Sequence, residues 1–212
     1  MVMALKNKYW TDGLYSYKGI QKRVCFHSRE IRGRKDAFNP DIIDYKSFVA
    51  DLSQLMAAIP MCIYASHIDK ERHVNQYIHP IEPYDLCMTF VLERILRDLP
   101  VNQNCVIILE SRGAKEDRAV LDFIKGLIDN GTRFHPASHF SRIKGVYFNP
   151  KWCKAADDRM SYWELELADL CAYPIQKFFV YGTMDLAFQV ILPKLSHYPD
   201  HMGKGLKSFP IT

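Results

Sequence analysis

Cys105-Val106-Ile107-Ile108-Leu109 is an unbroken apolar run of strand length, closed by Glu110. A strand of this kind has no polar face to turn to water, so the run predicts a strand covered on both sides. Covering elements are needed before and after it, and the flanking sequence supplies them. Upstream, Met88, Val91, Leu92, Ile95 and Leu99 recur at helical spacing between Pro83 and Pro100. Downstream, Val120, Phe123, Ile124, Leu127 and Ile128 do the same, with Glu116 and Asp117 in the first turn and Gly131 past the end.

The alternation extends both ways. Asn39-Pro40-Asp41 reads as a helix start, and Ile42, Tyr45, Phe48, Leu52, Leu55 and Ile59 follow on one face up to Pro60. Residues 61–65 read as a buried strand running on to Ile68 and Asp69, and Lys144 to Phe148 as a short strand. A long apolar helix, Ser161 to Phe179, comes next. From 40 to 180 the chain therefore alternates helix and strand, which predicts an α/β protein with parallel pairings. The first forty residues read as a strand over Met1 to Leu5, a helix over Tyr9 to Lys22 weakened by Gly13 and Gly19, and a basic segment. Residues 181–212 read as a C-terminal helix and tail. With no repeat and no long linker, 1–212 is expected to be one domain.

Composition narrows the class. Hydrophobic residues make up 48% and charged residues 25% of 212, and no apolar run nears the roughly 20 residues of a membrane helix. The opening five residues are too short for a signal peptide, so a cytoplasmic protein without membrane contact is the expectation. Cysteines at 25, 62, 87, 105, 153 and 171 form no Cys-x-x-Cys pair and predict buried free thiols. A net charge of +4 permits nucleic-acid binding without arguing for it.

Three features carry chemistry. Glu110 ends the most apolar strand, where ligands of open α/β sheets bind. It suits a metal, or it pairs with Arg112 or a neighbouring helix. In "SYWELELADLCAYPIQKFF", Glu166 and Asp169 share one edge of an apolar helix face. Two such acids repel unless a cation or basic side chain lies between them, or else they are solvated near a helix start. In "CFHSREIRGRKDAF", His27, Arg29, Arg32, Arg34 and Lys35 crowd together. This is either a phosphate-binding set or a solvated face. The pairs His135/His139 and His197/His201 have metal-ligand spacing, but Pro136 and Pro199 interrupt them, and they read as surface histidines.

The stretches "FHSREIRGRKDAF", "IYASHIDK", "YDLCMTFVLERIL", "CVIILESRGAKED", "ELELADLCAYPI" and "GKGLKSFP" resemble, in order and over most of the chain, a large bacterial and phage family catalogued as domain of unknown function 3800. The resemblance implies a ribonuclease-H-like fold, a mixed five-stranded sheet flanked by helices. It also implies acids gathered round divalent metal. On that basis Glu110 and Asp169 are the expected catalytic residues, within about 8 Å of each other, a distance that one or two metal ions bridge. Glu110, Asp169 and Glu166 would be ligands of Mg²⁺ or Mn²⁺, with His27, Arg29, Arg32 and Arg112 on the nucleic-acid backbone.

Two departures qualify this. The family's first strand ends in an Asp-Glu-Ser-Gly-like motif that this chain lacks, and Glu166 stands where the family usually has Gln. Met1 to Leu5 aligns best with the family's second strand. Either Met1 is an internal residue of a longer protein, or Met1 to Leu5 closes the gap, or a second copy covers the edge as a homodimer. Two functions follow: a metal-dependent nuclease or phosphodiesterase, or an inactive binding module derived from one.

Overall fold

The computed structural model describes residues 1–150 and 162–210. Cys153 and Ser161 lie outside the described residues. The elements in chain order are α1 (Val2–Tyr9), β1 (Leu14–Tyr17), β2 (Ile20–Arg23), α2 (Ser28–Gly33), α3 (Tyr45–Ala58), β3 (Ala65–Ile68), α4 (Lys70–Gln76) and α5 (Pro83–Asp98). After these come β4 (Cys105–Glu110), α6 (Ala114–Asn130), α7 (Ala137–Phe140), β5 (Ile143–Asn149), α8 (Trp163–Tyr181), α9 (Leu186–Ile191) and β6 (Leu206–Phe209). The protein is a mixed α/β chain in which small parallel and antiparallel sheets are flanked by helices. By packing it divides into two compact units. Unit one is residues 1–61 with 149–192, and unit two is residues 62–148 with 193–212.

Unit one corrects the reading of the first forty residues twice. Met1 to Leu5 is not a strand, because Val2 to Tyr9 is a helix. Val2, Leu5 and Lys6 are buried on one face, a spacing of three and four that a five-residue window conceals. The unpaired apolar strand that would have called for a second copy is therefore not there. Nor is Tyr9 to Lys22 a helix. It contains the hairpin β1–β2, in which Tyr17 pairs with Ile20 across a two-residue turn. Lys18 and Gly19 both take positive φ, 51° and 78°, the requirement of a tight hairpin turn whose twist matches its strands.

The helix expected from Asn39 starts later, at Tyr45. Asn39 Oδ1 accepts the Asp41 N–H, which makes a turn. Asp44 is the cap, accepting from the Ser47 N–H at 3.1 Å while the Ser47 hydroxyl donates to its other oxygen. The core of unit one is aromatic. Phe26, Phe38 and Phe48 are fully buried and Trp10 nearly so. Trp10 meets Phe38 and Phe48 edge to face, with ring centres 5.5 and 5.3 Å apart, a favoured geometry for such rings. The Trp10 indole N–H donates to the Ala37 carbonyl.

Unit two follows the expected helix–strand order. Leu92 and Leu96 of α5, Ile124 and Leu127 of α6, Phe140 of α7 and Ile143 of β5 form its core, with Cys105, Ile107 and Leu109 packed against it. Among the described residues β4 pairs with β5 alone. The second face of the strand is only partly covered: Val106, pointing away from that core, is 55% exposed, and Ile108 is half-buried. The Cys105 N–H donates to the Arg142 carbonyl, which sets the starts of the two strands side by side. Burial pushes the Cys87 and Cys105 thiols up; the described cysteines are all free, but Cys62, just ahead of β3, is exposed where burial was expected. No helix among the described residues is long and apolar enough to cross a membrane.

The chain's tail closes unit two. β6 runs parallel to β3, with Ala65 opposite Leu206 and Ile68 opposite Phe209. The stretches "IYASHIDK" and "GKGLKSFP", 140 residues apart in order, are thus partners in one ladder. Below them, Asp98 accepts hydrogen bonds from Arg97, Tyr64, Ser196 and His197. The Arg97 contact comes first among the causes that hold its carboxyl far below the usual range. Gly205 leads into β6 with no room for a side chain, because a Cβ there would meet the backbone of Ser196. Gly205→Ala is expected to cost about 1–3 kcal/mol through this forced overpacking. Urea unfolding checks it: the midpoint should fall, whereas Gly126→Ala, a helical site with open space around it, should leave it unchanged or raise it.

Candidate functional site

α8 opens at Trp163 behind Tyr162 and closes on Gly182 in the left-handed conformation, φ 63°. Leu167, Cys171, Pro174 and Ile175 are its buried apolar residues, and Glu166 is buried among them with no exposed surface. A bare carboxylate in such a place would be far too costly. Its partner is Lys6, which reaches in from the buried face of α1. Lys6 Nζ lies 2.8 Å from Glu166 Oε1, with side-chain exposures of 6% and 0%. The second oxygen, Oε2, accepts the Phe26 N–H at 2.7 Å. The same ammonium sits 5.0 Å from the centre of the Phe26 ring, a further favourable contact for a cation.

One turn along, Asp169 is half-buried, and its Oδ2 accepts the N–H of Ser28 at 2.7 Å. Ser28 opens α2, so this carboxylate satisfies one of the four donors that a helix start leaves without a backbone partner. Glu166 and Asp169 therefore grip residues 26–28. Glu166 is out of solvent, and Asp169 is partly so. Lys6 supplies the cation for Glu166.

The basic residues spread outward from this grip. His27 precedes α2, its Nδ1 3.9 Å from Glu30. Arg29, Arg32, Arg34 and Lys35 are exposed. The Arg32 guanidinium lies over the Tyr173 ring of α8 at 3.4 Å, and Arg34 lies over Tyr45 at 5.0 Å.

Unit two holds Glu110 and Arg112. Glu110 is exposed at the carboxyl end of β4. The loop behind it is braced: Asp117, in the first turn of α6, accepts from the Ser111 hydroxyl at 2.6 Å and the Arg112 N–H at 2.8 Å. These bonds hold the Asp117 carboxyl below its usual range. Gly113 takes φ 121°, which a side chain would strain. The Arg112 guanidinium lies 5.5 Å from the centre of the Tyr84 ring. His27, Arg29, Arg32, Glu166 and Asp169 thus belong to unit one, and Glu110 and Arg112 to unit two.

Among the described residues no group of three or more His, Cys, Asp or Glu side chains is arranged to hold a metal ion. His135 and His139 are partly buried and stack on each other, 4.4 Å between ring centres. His139 also contacts the Glu93 carbonyl, and burial lowers its pKa. His197 and His201 do not pair: the first contacts Asp98 and the second the Pro199 carbonyl.

Sequence reasoning missed Lys6. The signal was present, since a lysine on the apolar stripe of one helix and a glutamate on the apolar stripe of another each require the other. No family model, no curated protein and no solved structure matches this chain.

The buried pair gives a prediction. Lys6→Met leaves Glu166 buried without its cation and is expected to cost about 3–5 kcal/mol. Glu166→Met should cost a similar amount, since it strands Lys6 and the Phe26 N–H. The double variant should lose less than the sum of the two by at least about 1 kcal/mol. Urea unfolding of the four proteins measures the coupling, and additive losses would mean that the two charges do not interact.

Proposed function

We propose that this chain is a binding module for the phosphate backbone of nucleic acid, built on the ribonuclease-H-like fold that its motifs resemble. The observation that carries this reading is the use to which α8 puts its acids. Glu166 is bonded to Lys6 and Phe26, and Asp169 to Ser28. With an ammonium at 2.8 Å, the Glu166 carboxylate already has its positive charge, and a divalent cation beside it would face repulsion from Lys6. What these bonds present to solvent is the basic edge of α2. Arg29, Arg32, Arg34 and Lys35 are exposed there, and Arg32 and Arg34 are steadied by the aromatic rings beneath them. Guanidinium forks match phosphate oxygens, and such contacts bind without reading sequence.

A second reading is the metal-dependent phosphodiesterase, with Mg²⁺ or Mn²⁺ activating water. The exposed position of Glu110 on a braced loop at the end of β4 favours it.

One experiment separates the two. A fluorescent 20-nucleotide single strand is titrated with protein in EDTA, and a second sample is incubated with Mn²⁺ and resolved on a gel. The module binds in EDTA. Its affinity should fall about tenfold between 50 and 200 mM salt, as release of a few counterions requires. The Arg29→Ala/Arg34→Ala variant should bind several-fold more weakly, and the oligonucleotide should stay intact. Absence of binding at 50 mM salt would rule the module out. Mn²⁺-dependent cleavage that is lost in both Glu110→Gln and Asp169→Asn would establish the enzyme in its place.

A further inference from the structure

Unit one contains a cleft of about 190 Å³ that neither the acids nor the phosphate-binding edge explains. Its walls come from α2, α3, α8 and α9, and are largely apolar. Val49, Leu52 and Met56 of α3 line it, with Pro174 of α8 and Val190 of α9. Arg32 and Ser28 stand at one edge of the same cleft.

Arg32 is poised there. Its guanidinium is stacked on Tyr173 at 3.4 Å, and its Nε points to the Ser28 hydroxyl at 3.4 Å. Among the described residues its two terminal nitrogens make no hydrogen bond, and no carboxylate neutralises it. A stacked guanidinium keeps its in-plane donors free, and those donors match a carboxylate in a two-pronged pair. The rotamer is already fixed, so little side-chain freedom is lost when a ligand arrives.

The size of the cleft limits the ligand. An engineered apolar cavity of about 150 Å³ in another protein holds benzene, so this one takes a body of one ring or a short branched chain. Larger ligands need the roughly 300–1,000 Å³ of ordinary binding pockets.

We propose that the cleft binds a small apolar carboxylic acid, with its body between α3 and α9 and its carboxylate on Arg32. Arg32 is shared with the nucleic-acid reading, but the apolar wall is not, so Val49→Phe, which leaves Arg32 in place, tells the two apart.

Calorimetric titration tests it with phenylacetate as probe and phenethylamine as the control of similar size and opposite charge. Phenylacetate should bind with a millimolar or lower Kd, and phenethylamine at least tenfold more weakly. Arg32→Gln, a change at an exposed position, should weaken phenylacetate at least tenfold. Val49→Phe, which fills the cleft, should abolish phenylacetate binding and leave oligonucleotide binding as it was. Equal binding of acid and amine, no heat with 10 mM phenylacetate, or undiminished binding by Val49→Phe would each overturn the proposal. If Val49→Phe fails to fold, the Arg32→Gln titration and the acid-to-amine ratio still decide it.

Discussion

Unit one is organised by one buried charge pair. Lys6 and Glu166 are 160 positions apart, and between them they tie the first helix of the chain to the long late helix α8. The pair also fixes the segment that runs between these helices, because the second Glu166 oxygen takes the Phe26 amide. Phe26 has no strand or helix partner for that amide. An unpaired buried amide costs about 1–3 kcal/mol, so Phe26 can be buried among Trp10, Phe38 and Phe48 only where an acceptor is provided. The pair is therefore as much a device for placing an aromatic core as a source of stability. Isolated buried ion pairs are weak stabilisers, and the specificity of the contact matters more here than its strength.

From that anchor the basic edge follows. Asp169 lies three residues after Glu166 and so on the same side of α8. There it receives the Ser28 amide and sets the start of α2. Arg29 and Arg32 are then the exposed arginines of α2, Arg32 lies over the Tyr173 ring, and Ser28, Ile31 and Arg32 border the cleft shared with α3, α8 and α9. Glu166 and Asp169, two of the acids that the resemblance assigns to metal, are here joined to the start of the basic segment through the amides of Phe26 and Ser28. Moving the acids would move the arginines.

Much of the fold was legible. The helices ending at Pro60 and Pro100, the strand that ends in Glu110, and the helix closed by Gly131 all stand within a few residues of where their patterns place them, because proline and glycine act locally. The failures have a different origin. Met1 to Leu5 is apolar over too few residues for its period to be read, and only with Lys6 and Tyr9 included does the helical face emerge. The β1–β2 hairpin was hidden by a turn with lysine, not asparagine, before glycine. The strand at 105–109 looked doubly covered because a continuous apolar run does not reveal how many neighbours it has.

The site was legible in its parts and not in its partnerships. The sequence offers Glu166 and Asp169 as acids that either share a cation or are solvated; Glu166 has a cation in Lys6, and Asp169 accepts a backbone amide. The sequence does not reveal that the cation is Lys6, since a pairing across 160 residues is decided by packing. The glutamate at 166 has a physical account in Lys6. A glutamine at 166 would accept the Phe26 amide but leave a buried lysine without a counter-charge.

Amide hydrogen exchange at Phe26, followed by NMR, tests this account most directly. If the Glu166 carboxylate holds that amide, Phe26 exchanges as slowly as the core helices although it lies in no helix or strand. Lys6→Met should then speed its exchange together with that of Ser28, by at least about tenfold more than amides in the middle of α3. A Phe26 amide that exchanges at the rate of an exposed loop in the unaltered protein, or one that keeps its protection in Lys6→Met, would contradict the claim that this charge pair organises unit one.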